Sequence, residues 1–128
     1  MSEIEKKTIL VIDDESDLRD ALSAALTDSG FNVLTAADGD EGLKMAFEHK
    51  PDLILLDLVM PKLDGYAVLD RLRGDEWGKD ANVFLLTVLE DIDSVTKAVE
   101  HGGLEYFVKT DWRLEDIVKK VKEKLGVT

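Results

Sequence analysis

The sequence predicts an α/β domain in which five short parallel strands alternate with five helices, and three observations point that way. Continuous apolar runs recur along the chain, segments of helical periodicity separate them, and capping or breaking residues sit at the boundaries. At 128 residues the chain suits one domain with a real core and is too short for two. No repeat, linker-like tract or shift of composition divides it, so residues 1–128 are expected to form a single unit.

Ile9 to Ile12, Leu53 to Leu56 and Val83 to Leu86 are unbroken apolar runs, as central parallel strands covered on both faces require. Tyr106-Phe107-Val108 is a shorter candidate. Phe31 to Thr35 mixes Asn32 and Thr35 into its run, which suits a strand at the sheet edge. The first helix is marked by Leu18, Leu22, Ala25 and Leu26 on one face, with Ser16 to cap its start and Gly30 after its end. Asp38 with Glu41 reads as a capping box for a second helix through Leu43, Ala46 and Phe47, halted before Pro51. Asp64 caps a third helix. Ile92, Val95 and Val99 mark a fourth, ended by Gly102 and Gly103, and Leu114, Ile117, Val118, Val121 and Leu125 line a fifth. Lys119, Lys120, Lys122 and Lys124 fall toward that helix's C-terminus, where the macrodipole favours cations, and serve solvation and helix support.

Strict alternation implies right-handed crossovers and helices on both faces of an open sheet. The edge-like second strand favours the flavodoxin-like strand order 2-1-3-4-5, a doubly wound three-layer (βα)5 sandwich. Ligands of such sheets bind beyond the carboxyl ends of the strands where the chain order reverses, here strands one and three.

Composition narrows the partners. Hydrophobic residues make up 45% of the chain, which excludes a disordered or low-complexity polypeptide. A net charge of −12 argues against wrapping nucleic acid or docking on anionic membranes. The absence of cysteine removes disulfides, thiol catalysis and zinc-cysteine sites, and a cytoplasmic location is the easiest fit. The longest apolar runs fall far below the roughly 18 residues of a membrane helix. Met1 to Lys7 mixes acids with lysines and has no apolar segment, so no signal peptide is expected.

Strand one runs into Asp13-Asp14-Glu15 and strand three into Asp57, so several carboxylates should converge on one crevice. Like charges that close need protons or a metal, and an all-oxygen donor set with open positions suits Mg²⁺. Taken alone, Asp13 to Asp17 are equally explained as turn and capping acids at a helix N-terminus. Asp57 is harder to explain by packing, because burying an ionised carboxylate costs several kcal/mol without compensation. Beside a divalent cation it becomes a nucleophile. Thr87 and Lys109, at two further strand ends, supply a hydroxyl donor and a positive charge for a phosphoryl group.

This constellation resembles the receiver domain of two-component response regulators, over about residues 7–125, at the size of a stand-alone chemotaxis regulator. Asp13 and Asp14 match the family's acidic pair, Asp57 its phosphoacceptor, Thr87 its switch hydroxyl, Lys109 its lysine and Tyr106 its switch aromatic. Asp57 to Gly65 also matches the D-x-x-M-P-x-x-D-G signature, in which Pro61 and Gly65 shape the turn and place the Val59 carbonyl to ligate the metal.

The resemblance implies Mg²⁺-dependent phosphoryl transfer to Asp57 from a sensor histidine kinase, a phosphotransfer protein or a small phosphodonor. It also implies that Thr87 and Tyr106 switch a face made by the fourth helix, fifth strand and fifth helix, on which a downstream protein docks. Such a module is no general enzyme, since it assists only its own phosphorylation and dephosphorylation. A monomer or a weak phosphorylation-dependent dimer is expected. The chain ends just after the fifth helix, which suits a stand-alone regulator or an excised receiver.

Four residues depart from the family pattern. Thr110 follows Lys109 where a cis-bonded proline is common. A cis bond before Thr110 would cost roughly 2.5 to 4 kcal/mol, so a trans bond is expected, with Thr110 or Asp111 capping the fifth helix. Val88 replaces a small residue and narrows access to the site. Val59 and Leu89, both apolar, cannot orient an attacking water, which predicts slow self-dephosphorylation. His49 and His101 are isolated, and Trp77 reads as a loop anchor. A phosphatase with an aspartyl nucleophile would want a second acid where Val59 stands, and a nucleotide site would want a glycine-rich loop after strand one. A receiver-like module that is never phosphorylated is the remaining alternative.

Overall fold

Five parallel strands pair in the order β2-β1-β3-β4-β5 in a computed structural model that describes residues 6–58, 60, 64–87, 96, 99–100, 105–108 and 113–127. The strands are β1 (Thr8–Ile12), β2 (Asn32–Ala36), β3 (Leu53–Asp57), β4 (Val83–Thr87) and β5 (Glu105–Val108). The predicted order is the observed one. Among the described residues, helices α1 (Ser16–Asp28), α2 (Gly39–His49) and α3 (Gly65–Arg73) and a C-terminal helix (Leu114–Leu125) surround the sheet. Of the predicted fourth helix, Thr96, Val99 and Glu100 are described and helical, and Val99, expected on its apolar line, is exposed. Ile92, Val95, Gly102 and Gly103 lie outside the described residues.

Alternation along each strand divides the core in two. Leu10, Ile12, Ile54, Leu56, Val83 and Leu85 pack against Leu43 and Ala46 of α2 and Val68, Leu69 and Leu72 of α3. Ile9, Val11, Leu53, Leu55, Phe84, Leu86 and Phe107 pack against Leu22 and Leu26 of α1 and Ile117, Val118 and Val121 of the C-terminal helix. The sheet is therefore wound on both sides, as unbroken apolar strands demand. Every residue of β3 and β4 is buried, whereas β2 buries only Ala36 fully, as an edge strand does.

Local chemistry sets the helix ends, in places differently from expectation. Ser16 is the first residue of α1 and not its cap: Glu15 holds the cap position, although its side chain does not cap the helix. The preceding turn explains this, because the Asp13 carboxylate accepts the Glu15 amide at 2.9 Å and sets the entry of the chain. Asp38 caps α2 by accepting the Glu41 amide at 2.8 Å, and Lys50 ends it in the left-handed region at φ 47° ahead of Pro51. Asp64 caps α3 by accepting the Ala67 amide at 3.0 Å. The C-terminal helix is capped at Arg113, not at Thr110 or Asp111, and the Asp116 carboxylate accepts the Arg113 amide at 3.4 Å. Lys120 lies 3.9 Å from Glu123, in keeping with helix support.

Trp77 behaves as the expected anchor. It is half-buried against the core, and the Asp75 carboxylate accepts both the Trp77 and the Gly78 amides at 2.9 Å. Arg73 donates to the carbonyls of Gly78 and Ala81, tying that loop to α3. His49 is exposed in the last turn of α2, and His101 lies outside the described residues.

Candidate cation and phosphoryl site

The parallel register brings three strand ends into line. Ile12 pairs with Leu56, Asp57 with Leu86 and Thr87 with Val108, so Asp13, Asp57 and Thr87 belong to one rim of the sheet. Because β2 and β3 flank β1, this rim contains the point where the chain order reverses and a crevice opens.

Backbone bonds fix the chain at Asp13 and just beyond Asp57. The Asp13 amide donates to the Ala36 carbonyl at 3.1 Å, which continues the β1–β2 pairing past the last strand residue. Its carboxylate closes the turn onto Glu15, and its own carbonyl accepts from the Arg19 guanidinium at 2.8 Å. Beyond β3, the Leu58 amide donates to the Leu86 carbonyl at 3.0 Å, and the Leu58 carbonyl accepts the Gly65 amide at 3.1 Å. These two bonds close the loop that follows Asp57. Gly65 must lack a side chain there, since a Cβ would overlap the Asp57 carbonyl.

Carboxylate oxygens of Asp13, Asp14 and Asp57 lie within 4.8 Å of one another. Asp13 is 0% exposed and Asp57 2%, while Asp14 faces solvent. Three anions at this separation, two of them buried, repel one another strongly and call for a cation. The donor set is all oxygen and one member is open to water, which fits a hard divalent ion that keeps part of its hydration shell. Thr87 is buried at the end of β4. Tyr106 lies in β5 opposite Leu85, as its position in the run predicts.

The structure thus brings Asp13, Asp14 and Asp57 together and sets Thr87 on the same rim. Val59, Pro61, Lys109, Val88, Leu89, Thr110, Asp111 and the Tyr106 side chain lie outside the described residues, as does the peptide bond between Lys109 and Thr110. Arg19 escaped the sequence reading. Its bond is to a main-chain carbonyl, which no residue pattern marks, and the only hint is a lone cation one turn into α1 after a run of acids.

Among the described residues, no helix is long and apolar enough to cross a membrane. A family model for the response regulator receiver domain matches residues 9–122. A probable transcriptional regulator, ycf27, of Porphyridium aerugineum is 42% identical over 83% of this chain and 43% of its own length. The chain spans less than half the length of that protein and of four further curated relatives that it matches. Among solved structures, a putative response regulator from Chloroflexus aurantiacus superposes with a TM-score of 0.88 at 29% identity, covering 95% of this chain and 99% of that one. The CheX-CheY-BeF3-Mg²⁺ complex from Borrelia burgdorferi gives 0.84 at 27% identity, covering 93% and 89%. With the strand order, the acidic trio and these likenesses in agreement, the chain belongs to the receiver-domain family of two-component response regulators.

Proposed function

We propose that this receiver, working as one unit over residues 1–128, accepts a phosphoryl group on Asp57 and changes its surface in response. The observation that carries the reading is a buried Asp57 whose carboxylate meets those of Asp13 and Asp14 at the switch point of the sheet. Asp13, Asp14 and Asp57, with the Val59 carbonyl, would hold Mg²⁺, which when bound balances the negative charge of the carboxylates and of the incoming phosphoryl oxygens. The Borrelia relative, whose name includes Mg²⁺, supports that choice of ion.

Asp57 acts as the nucleophile. One of its oxygens forms a bond to phosphorus as the donor's P–N or P–O bond breaks, and the imidazole or carboxylate of the donor leaves with the bonding pair. Lys109 offers its ammonium, and Thr87 its hydroxyl, to the phosphoryl oxygens. Burial of Asp57 to 2% exposure confines the donor's approach to the crevice. The phosphorylated side chain carries roughly −1.5 to −2 charge in place of the carboxylate's single one, and its three acceptor oxygens draw Thr87 toward it and leave space for Tyr106 to turn inward. The face made by the fourth helix, β5 and the C-terminal helix then differs between states, and a protein with unequal affinity for the two reads the difference.

The donor is a sensor histidine kinase or phosphotransfer protein, and the domain promotes only its own phosphorylation and dephosphorylation. Its net charge of −12 disfavours direct contact with nucleic acid or membrane. In the Synechocystis relative named as a DNA-binding transcriptional regulator, DNA binding would belong to the stretch this chain does not match. A cytoplasmic monomer, or a weak dimer favoured by phosphorylation, completes the picture. Incubation with acetyl phosphate and Mg²⁺, followed by mass spectrometry, tests it. The protein should gain one phosphoryl group and Asp57→Ala none; an unmodified wild type would leave the alternative of an unphosphorylated interaction module.

A further inference from the structure

Asp13 is held at three points, and the third is a cation. Its amide is fixed to the Ala36 carbonyl, its carboxylate to the Glu15 amide, and its carbonyl to the Arg19 guanidinium at 2.8 Å. Arg19 is itself anchored, because its amide donates to the Glu15 carbonyl at 2.9 Å in the first turn of α1. That carbonyl of Asp13 belongs to the planar peptide that joins Asp13 to Asp14. Holding the carbonyl therefore sets the direction in which the chain leaves Asp13 and enters Asp14. Asp14 is the exposed member of the trio, so the backbone rather than packing must aim its carboxylate.

We propose that Arg19 is a positioning residue for the divalent cation: by gripping the Asp13 carbonyl it orients the Asp13–Asp14 pair for metal binding. The inference rests on the reading of the trio as a cation site. It competes with a purely electrostatic role, in which the guanidinium offsets the charge of three crowded acids. The two roles predict opposite signs. A fixed positive charge beside the site repels an incoming cation, so neutralising it would tighten binding if charge alone mattered. If orientation matters, neutralising it weakens binding despite the relief of repulsion. Losing an outer partner of a metal-ligating residue costs about tenfold or more in affinity.

The test titrates MgCl2 into the full chain without any phosphodonor and follows amide shifts of Asp13 to Glu15 by NMR. Circular dichroism and metal-free unfolding temperature serve as controls for folding. Arg19→Gln, which is neutral and too short to reach the carbonyl, should bind Mg²⁺ about tenfold more weakly than wild type. Arg19→Lys, which keeps a charged donor with a different geometry, should fall between the two. Equal or tighter binding by a folded Arg19→Gln overturns the inference. Should that variant not fold, Arg19→Lys decides, and binding as tight as wild type overturns it. Absence of saturable Mg²⁺ binding in wild type would instead bring down the cation site itself, and the inference with it.

Discussion

Gly65 packs its Cα against the backbone of Asp57 so closely that a Cβ there would come within 2.6 Å of the Leu58 Cα and collide with the Asp57 carbonyl. Both obstacles are main chain and cannot rotate away. Gly65→Ala must therefore push the start of α3 off the end of β3, breaking the bond from the Gly65 amide to the Leu58 carbonyl. We expect a loss of about 1 to 3 kcal/mol in urea unfolding and slower labelling of Asp57 by acetyl phosphate. Gly74→Ala is the matched comparison. A Cβ there meets nothing closer than 3.6 Å, so that variant should unfold and label as wild type does.

The acidic trio makes stability depend on metal. Carboxylate oxygens within 4.8 Å, two of them on buried residues, repel each other in the metal-free protein. Mg²⁺ at ten times its dissociation constant should stabilise the wild type by about 1.4 kcal/mol. Asp57→Asn should unfold at a higher temperature than wild type in EDTA and gain less from Mg²⁺. An identical Mg²⁺ increment in both proteins would show that Asp57 does not contribute to the ion's binding.

Much of this arrangement was legible because central parallel strands leave an unambiguous mark. Ile9 to Ile12 and Leu53 to Leu56 show no alternation, and each of these residues is fully buried. An acid directly after such a run must emerge at the strand's carboxyl end, which is why Asp13 and Asp57 could be placed together. Legibility failed where backbone groups choose their own partners. Ser16 carried the usual capping signature, yet the Asp13 side chain had already organised the Glu15 amide. Phe31 reads as a strand residue because it is apolar, but it turns into the core one residue before β2 begins. Arg113 is a poor cap by side-chain chemistry and owes its place to Asp116. Arg19 was invisible for the same reason, since its acceptor is a carbonyl.

Arg73 should prove the main support of the Trp77 loop. Its guanidinium donates to Gly78 at 2.7 Å and to Ala81 at 2.8 Å, bridging both ends of a short 3-10 turn. Burial lowers its pKa from the usual arginine value, and the neighbouring charge of Asp80 works in the opposite direction. Arg73→Met keeps much of the packing but leaves two carbonyls without their charged donor, at a cost of about 2 to 3 kcal/mol. Urea unfolding measures the loss. In a Trp112→Phe background, the emission of the remaining Trp77 should shift to the red as its loop opens to water. An unshifted spectrum with lowered stability would place the effect elsewhere.

Thr87 separates receiving the signal from passing it on. The residue is buried at the end of β4 and pairs in register with Val108, one position before Lys109, so it links the acidic rim to β5. Thr87→Val keeps the shape of the side chain and removes the hydroxyl, leaving the carboxylates of Asp13, Asp14 and Asp57 untouched. Mg²⁺ affinity should stay within about twofold of wild type and acetyl phosphate should still label Asp57, though more slowly, because the hydroxyl steadies the phosphoryl oxygens but neither ligates the metal nor forms the new bond. What should disappear is the response of β5: on phosphorylation, amide shifts of Glu105 to Val108 in the variant should move much less than in wild type. Full-sized shifts in Thr87→Val would mean that the phosphoryl group reaches β5 by another route, through Lys109 alone.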